Sequence, residues 1–168
     1  IYQVQECLEL IPANTALAAT NQELIKAIAR EWVLHTALEP IRNQYDYILI
    51  DCAPSLGIDL LNALVAADEV LIVTNPARFS ERGNHQLLRT IKMVQKLLNK
   101  ELTIAGSLFN RVDRRTRLAR DIMALMRENW GTELHLFDTE IPNSIRIDES
   151  QAMGVPLIMY QPESKPAK

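Results

Sequence analysis

An apolar run, Ile48, Leu49 and Ile50, delivers Asp51 to a turn imposed by Pro54, and a helical pattern opens directly afterwards at Leu56. A short, continuous apolar run of this kind predicts a strand buried on both faces. Proline cannot continue a ladder of hydrogen bonds, so the strand is expected to stop just past the aspartate. The Asp51 carboxylate would then stand at the carboxyl edge of a sheet, where open parallel sheets bind ligands. That is how a nucleotide-hydrolysing site presents its magnesium-side acid.

The rest of the chain supports a sheet of that type. Short β-branched runs alternate with helical patterns, the signature of βα units and a mainly parallel sheet. Strands are predicted near residues 8–11, 46–51, 69–74, 103–110 and 136–141. Between them, residues 14–41 read as helical with a break, Leu24, Ile28, Trp32 and Leu38 forming an apolar side. Residues 56–66 predict a short apolar helix, and residues 80–98 a longer amphipathic one in which Gln95 departs from the period. Another helix is expected over residues 116–130, ended by Gly131. These elements make a single α/β domain over residues 1–160, with a polar tail at 161–168 that has nothing to bury and is expected to fray.

Length and composition narrow the classes further. A chain of 168 residues suits one domain, and no apolar stretch approaches the roughly 20 residues of a membrane helix. Cys7 and Cys52 are far apart and without a nearby histidine, which suggests neither a disulfide framework nor a zinc site. A cytoplasmic location is the simple expectation. His35, His85 and His135 share no ligand spacing and are expected to be structural or surface residues. With a net charge of −3, any contact with nucleic acid must come from a local patch.

A phosphate-cradling loop needs closely spaced glycines, so that backbone N–H groups can approach the phosphates, and then a lysine with a hydroxyl residue. The five glycines, at 57, 83, 106, 131 and 154, are too widely spaced for G-x-x-x-x-G-K-[ST] and for G-x-G-x-x-G. The motif at Asp51 therefore stands without its usual companion.

Four segments, L-I-P-A-N from residue 10, Y-D-Y-I-L-I-D-C-A-P-S-L-G from 45, L-N-A-L-V-A-A-D-E-V-L-I-V from 61 and I-P-N-S-I-R-I-D-E-S-Q-A-M-G-V-P-L-I from 141, resemble the ParA/Soj partition ATPases, with the MinD-like deviant Walker ATPases as wider relatives. The resemblance runs over about residues 10–160 and is closest to the C-terminal portion of that family, after its Walker A segment. It implies a P-loop NTPase-like α/β fold with helices on both faces of the sheet, incomplete at the N-terminus. It also implies ATP and Mg²⁺ as ligands, ATP-dependent homodimerisation, non-specific DNA and a ParB-like protein as partners, and chromosome or plasmid partition as the task. A bacterial, nucleoid-associated location without membrane contact goes with that task.

By resemblance, Asp51 is the Walker B acid, catalytic and holding Mg²⁺ through water. Pro54, Ser55 and Gly57 belong to the switch that senses the γ-phosphate, Ala53 replacing the proline common in the family. Asn110 and Pro142 are expected on the adenine side of the nucleotide, an asparagine amide being suited to a base edge. Their plain alternatives are a turn residue after a strand and a strand stop.

Arg111, Arg114, Arg115, Arg117 and Arg120 crowd into ten residues offset in that window by Asp113 alone. Such guanidinium groups bind phosphate without reading sequence. The resemblance assigns DNA contact to Arg115, Arg117 and Arg146, while Asn143 stands where the family commonly has an arginine. A solvated helix face with acidic partners is the plain alternative. Lacking the loop's lysine, the chain alone is expected to show no ATPase activity. A catalytically inactive ParA-like binding module and a truncated gene product are the alternative readings, and an incomplete sheet predicts instability, association or altered strand pairing.

Overall fold

The structure, a computed structural model, describes residues 1–13, 23–24, 26–76, 80–131 and 134–168. The chain forms two compact units, Ile1–Ala67 and Asp68–Lys168.

The first unit opens with an antiparallel hairpin of β1 (Tyr2–Gln5) and β2 (Leu8–Leu10), with Tyr2 opposite Leu10 and Gln3 opposite Glu9. The strand expected at 8–11 is therefore present, but paired antiparallel rather than within a parallel sheet. Its turn holds Cys7 at φ 60, a left-handed conformation that non-glycine residues seldom adopt. Residues 14–22 and 25 of the predicted helix at 14–41 lie outside the described residues. Within them a 3₁₀ turn at Arg30–Trp32 leads into α1 (Val33–Leu38), and Ile28 is exposed, so the expected apolar side does not extend that far.

The α2 helix (Ile58–Ala66) starts after Gly57, its N-cap, and buries Leu60, Ala63, Leu64 and Val65. Buried Asn62 fastens the preceding segment to it. Its amide donates to the carbonyls of Arg30 (2.8 Å) and Ile58 (3.1 Å), and its Oδ1 accepts from the Leu34 N–H at 3.0 Å. All the polar capacity a buried asparagine must satisfy is met by backbone.

The strand predicted at 46–51 is not formed. Residues 47–53 carry no regular structure, with Tyr47 86% and Leu49 93% exposed. A strand is stabilised by ladder partners and packed faces rather than by intrinsic preference, and this run has no ladder partner among the described residues. Just before it, the Tyr45 hydroxyl donates to Glu9 of β2.

The second unit has a three-stranded sheet in the order β3 (Glu69–Thr74), β4 (Thr103–Val112), β5 (Leu136–Pro142), parallel throughout. The α3 helix (Ser80–Leu97) joins β3 to β4, and α4 (Arg117–Trp130) joins β4 to β5, as parallel neighbours require. Ile72, Ile91, Val94, Leu102, Phe109, Val112, Met123, Met126 and Trp130 are buried in its core. Gln95, off the apolar period, donates to the Leu102 carbonyl at 2.9 Å and so ties the end of α3 to the approach of β4. Gly106 has φ 148, and a Cβ there would lie 2.6 Å from the His135 carbonyl oxygen, so only glycine allows β4 to pass this close.

Thr116 caps α4 by accepting from the Ala119 N–H at 3.3 Å, and Gly131 closes that helix by donating to the Arg127 carbonyl at 3.1 Å. Two shorter helices follow, α5 (Ile145–Ala152) and α6 (Leu157–Tyr160). The tail from Gln161 carries a 3₁₀ turn at Lys165–Ala167.

Candidate functional site

In the first unit the candidate acid and switch lie on the approach to α2. Asp51 is exposed within the irregular stretch, and Pro54, Ser55 and Gly57 form the bends that lead into the helix. The Ser55 N–H closes a tight turn on the Ala53 carbonyl at 2.7 Å. Asp59 adds a second carboxylate in the first turn of α2, favoured there by the helix dipole. Cys52, next to Asp51, is exposed. Partial desolvation of its sulfur, and then the Asp51 and Asp59 carboxylates, push its thiol above the usual range, which keeps it protonated and unreactive at neutral pH. Among the described residues no three His, Cys, Asp or Glu side chains gather into a metal cage.

In the second unit the carboxyl ends of β3, β4 and β5 converge on a cleft of about 350 Å³, lined by Asn75, Pro76, Arg111, Asp113, Thr116 and Asn143 among others. The Asn143 N–H donates to the Val112 carbonyl at 2.9 Å, extending the β4–β5 ladder to the cleft's rim. This is the edge where a parallel sheet offers diverging loops to a ligand. Asn110 and Pro142, the residues singled out in the sequence, stand one step behind that wall, and their chain neighbours Arg111 and Asn143 line it. The Asn110 Oδ1 accepts from the Arg111 N–H at 2.9 Å, supporting Arg111 in a left-handed conformation with φ 54. That strained backbone turns Arg111 toward the cleft, 4.0 Å from Asp148 of α5.

The arginine cluster is heavily paired, which the sequence window concealed. Arg114 forks onto Glu140 of β5, its Nε and Nη2 at 2.7 and 2.8 Å from the two carboxylate oxygens. Glu140 is only 9% exposed and also lies 3.6 Å from Arg127, whose guanidinium sits over the Phe109 ring at 5.5 Å. A hollow of about 260 Å³, lined by Arg114, Arg120, Met123, Arg127 and Glu140, lies over this network.

Arg115, 89% exposed, forks onto Asp113 with both contacts at 2.9 Å. The side-chain and backbone N–H groups of Arg115 hold the Asp113 carboxyl below the usual carboxylate range. A lowered carboxylate keeps its charge, and the pair, down to pH values beneath that range, and loses both as pH falls through the lowered value. Arg117 is 3.6 Å from Asp121, and Arg146 2.8 Å from Glu149, each one helical turn away. Each histidine meets an aromatic ring edge-on, His35 with Trp32, His85 with Trp130 and His135 with Phe137.

A family model described as an AAA domain matches residues 1–104. Among curated proteins, the sporulation initiation inhibitor protein Soj of Bacillus subtilis is 39% identical over 97% of this chain and 64% of its own length. The chromosome partitioning protein ParA of Myxococcus xanthus is 37% identical over 94% of this chain and 55% of its own. The chain thus spans roughly three fifths of the length of these relatives. Among solved structures, one described as cobyrinic acid a,c-diamide synthase of Mycobacterium smegmatis with bound ADP and magnesium superposes with a TM-score of 0.73. It is 35% identical, over 80% of this chain and 54% of that one.

Proposed function

The chain belongs to the ParA/Soj-type family of partition ATPases, and on that premise we propose that it carries the magnesium-side acid, one wall of the nucleotide site and the DNA-binding face of a chromosome or plasmid partition ATPase. The carboxyl edge of the parallel sheet carries this reading: a cleft with Arg111 and Asn143 in its wall lies on the same unit as a face of exposed arginines.

ATP and Mg²⁺ are the proposed ligands, in keeping with the ADP and magnesium described for the M. smegmatis relative. Magnesium is commonly held by one or two carboxylates, its remaining positions filled by water and substrate phosphates. Asp51 suits that mode, holding the ion through water and orienting the attacking water. The bound metal would neutralise charge on the transferring phosphoryl group. Pro54, Ser55 and Gly57, at the mouth of α2, are proposed as the segment that rearranges with the γ-phosphate. Asn110 acts on the base side through Arg111, and Pro142 by ending β5 at the cleft.

The proposed nucleic-acid contacts are Arg115, Arg117 and Arg146, all exposed. They would engage DNA non-specifically, with homodimerisation doubling the surface and a ParB-like protein as regulator. No described helix is long and apolar enough to cross a membrane, and the reading places the protein on the bacterial nucleoid.

Binding to random-sequence duplex, followed by fluorescence anisotropy, tests the assignment. Affinity should fall as salt rises, and removing Arg115 and Arg146 together should flatten the log–log slope by about 2 per chain. Salt-independent binding, or full binding by the double variant, overturns it.

A second reading, a ParA-like binding module without catalysis, is favoured by the exposed setting of Asp51 outside any regular element. Under it, a polypeptide of these 168 residues turns over no ATP. Magnesium-dependent turnover that vanishes in Asp51→Ala excludes this second reading.

A further inference from the structure

We propose that Asp113 is an internal phosphate mimic: its carboxylate occupies the Arg115 guanidinium as a nucleic-acid phosphate would, so that DNA engages this arginine by displacing it. The inference rests on the reading of Arg115 as a phosphate contact and adds what sets the strength of that contact.

The geometry distinguishes this pair from its neighbours. Guanidinium forks match carboxylate and phosphate oxygens alike, and Arg115 places both Nε and Nη2 at 2.9 Å from Asp113. The aspartate is anchored independently of that fork. Its Oδ1 accepts from the Arg115 backbone N–H at 3.1 Å, and its own carbonyl accepts from the Thr116 N–H at 3.1 Å and the Thr116 hydroxyl at 3.0 Å. Asp113 therefore stays in place while the Arg115 side chain, 89% exposed on a flexible stem, is free to swing to another anion.

Arg114 forks equally well, but its partner Glu140 is 9% exposed and also engages Arg127. Withdrawing Arg114 would leave a largely buried carboxylate less compensated, so that fork resists exchange. Arg117 makes one contact at 3.6 Å and Arg146 one ion-pair contact at 2.8 Å, neither reproducing a phosphate's two-point fit. Arg115 is thus the arginine whose availability is most directly governed by a single carboxylate.

The substitution that isolates the effect is Asp113→Asn, because the asparagine carbonyl still accepts from the Arg115 N–H and preserves the turn, while the charge is gone. Binding of random-sequence duplex by the full chain at low salt should tighten about two- to fivefold, the range expected for freeing an exposed ion pair. In an Arg115→Ala background the same substitution should leave affinity unchanged, since no guanidinium remains to be released.

A gain of equal size in both backgrounds would mean that Asp113 acts as a general repulsive charge and overturns the proposal. So does unchanged or weaker binding by Asp113→Asn whose circular-dichroism melt matches the parent. Binding that needs Arg115 but ignores Asp113→Asn overturns this inference alone. Binding that ignores Arg115→Ala, or is absent from parent and Asp113→Asn alike, removes the nucleic-acid reading and this inference with it.

Discussion

Residues 48–50 and 70–73 read almost alike, I-L-I against V-L-I-V, yet the first run is irregular and the second lies in β3, hydrogen-bonded along β4. Leu49 is exposed, whereas Ile72 is buried. What separates them is the neighbour each run finds. In the second unit β4 supplies ladder partners, and α3 and α4 bring further apolar residues into the core. In the first unit the described elements are a two-stranded hairpin and short helices, and Tyr2, Val4, Leu8, Leu10 and Ile11 stay exposed. A strand sequence is therefore a capacity that pairing and packing realise, and the two units show it realised and unrealised.

The largest expected effect lies in the second unit. Phe109 is fully buried in β4 beneath Arg127, so Phe109→Ala should cost that unit about 3–5 kcal/mol through lost burial and the cavity left behind. The chain has two tryptophans, Trp32 in the first unit and Trp130 in the second, so each unit carries its own fluorophore. Urea unfolding read from Trp130 in a Trp32→Phe background measures the cost. A loss under about 1 kcal/mol would mean that this core is not what holds the sheet.

Next comes the buried polar joint at Asn62 in the first unit. Asn62→Ala removes the side chain that accepts from the Leu34 N–H and donates to the Arg30 carbonyl, at about 1–3 kcal/mol. Hydrogen exchange should show the Leu34 amide losing protection, with the amides of β4 unchanged. Equal loss in β4 would erase the distinction between the units.

Legibility in the sequence follows the same division. The β3 strand, α3 and α4 were legible to within a residue or so, because each presents its period to a partner supplied by the next element in the chain. The Asp51 strand misled because its apolar pattern is genuine but no described strand pairs with it. The β1 strand went unread, since Tyr2 and Val4 alternate with glutamines for only four residues and the turn at Cys7 carries no glycine or asparagine signal.

At the site, the arginine window was visible while its neutralisation was not. Glu140 reaches Arg114 from 26 residues away, a distance no window of ten spans. Arg111 and Asn143 escaped notice in the cleft wall for a related reason. A left-handed backbone at Arg111 and a ladder bond at Asn143 decide what faces the cleft, and neither is written in residue type. Asn62 interrupts an otherwise apolar stretch, and its backbone partners at Arg30 and Leu34 lie 32 and 28 residues away.

The smallest expected effect on stability is also the sharpest test of the comparison. If residues 48–50 are a strand without a partner, Leu49→Lys should change the first unit's stability by no more than about 0.5 kcal/mol, because the side chain it replaces is already in water. The same change should reduce self-association, since an exposed apolar segment with high β-propensity invites pairing with another chain and a lysine opposes it. Sedimentation velocity across a concentration series measures the second effect, and Trp32 fluorescence in urea the first. Lower association with unchanged stability is the outcome that unrealised pairing demands. A loss of 2 kcal/mol or more would show that Leu49 is buried in solution and that the two apolar runs are more alike than their structures suggest.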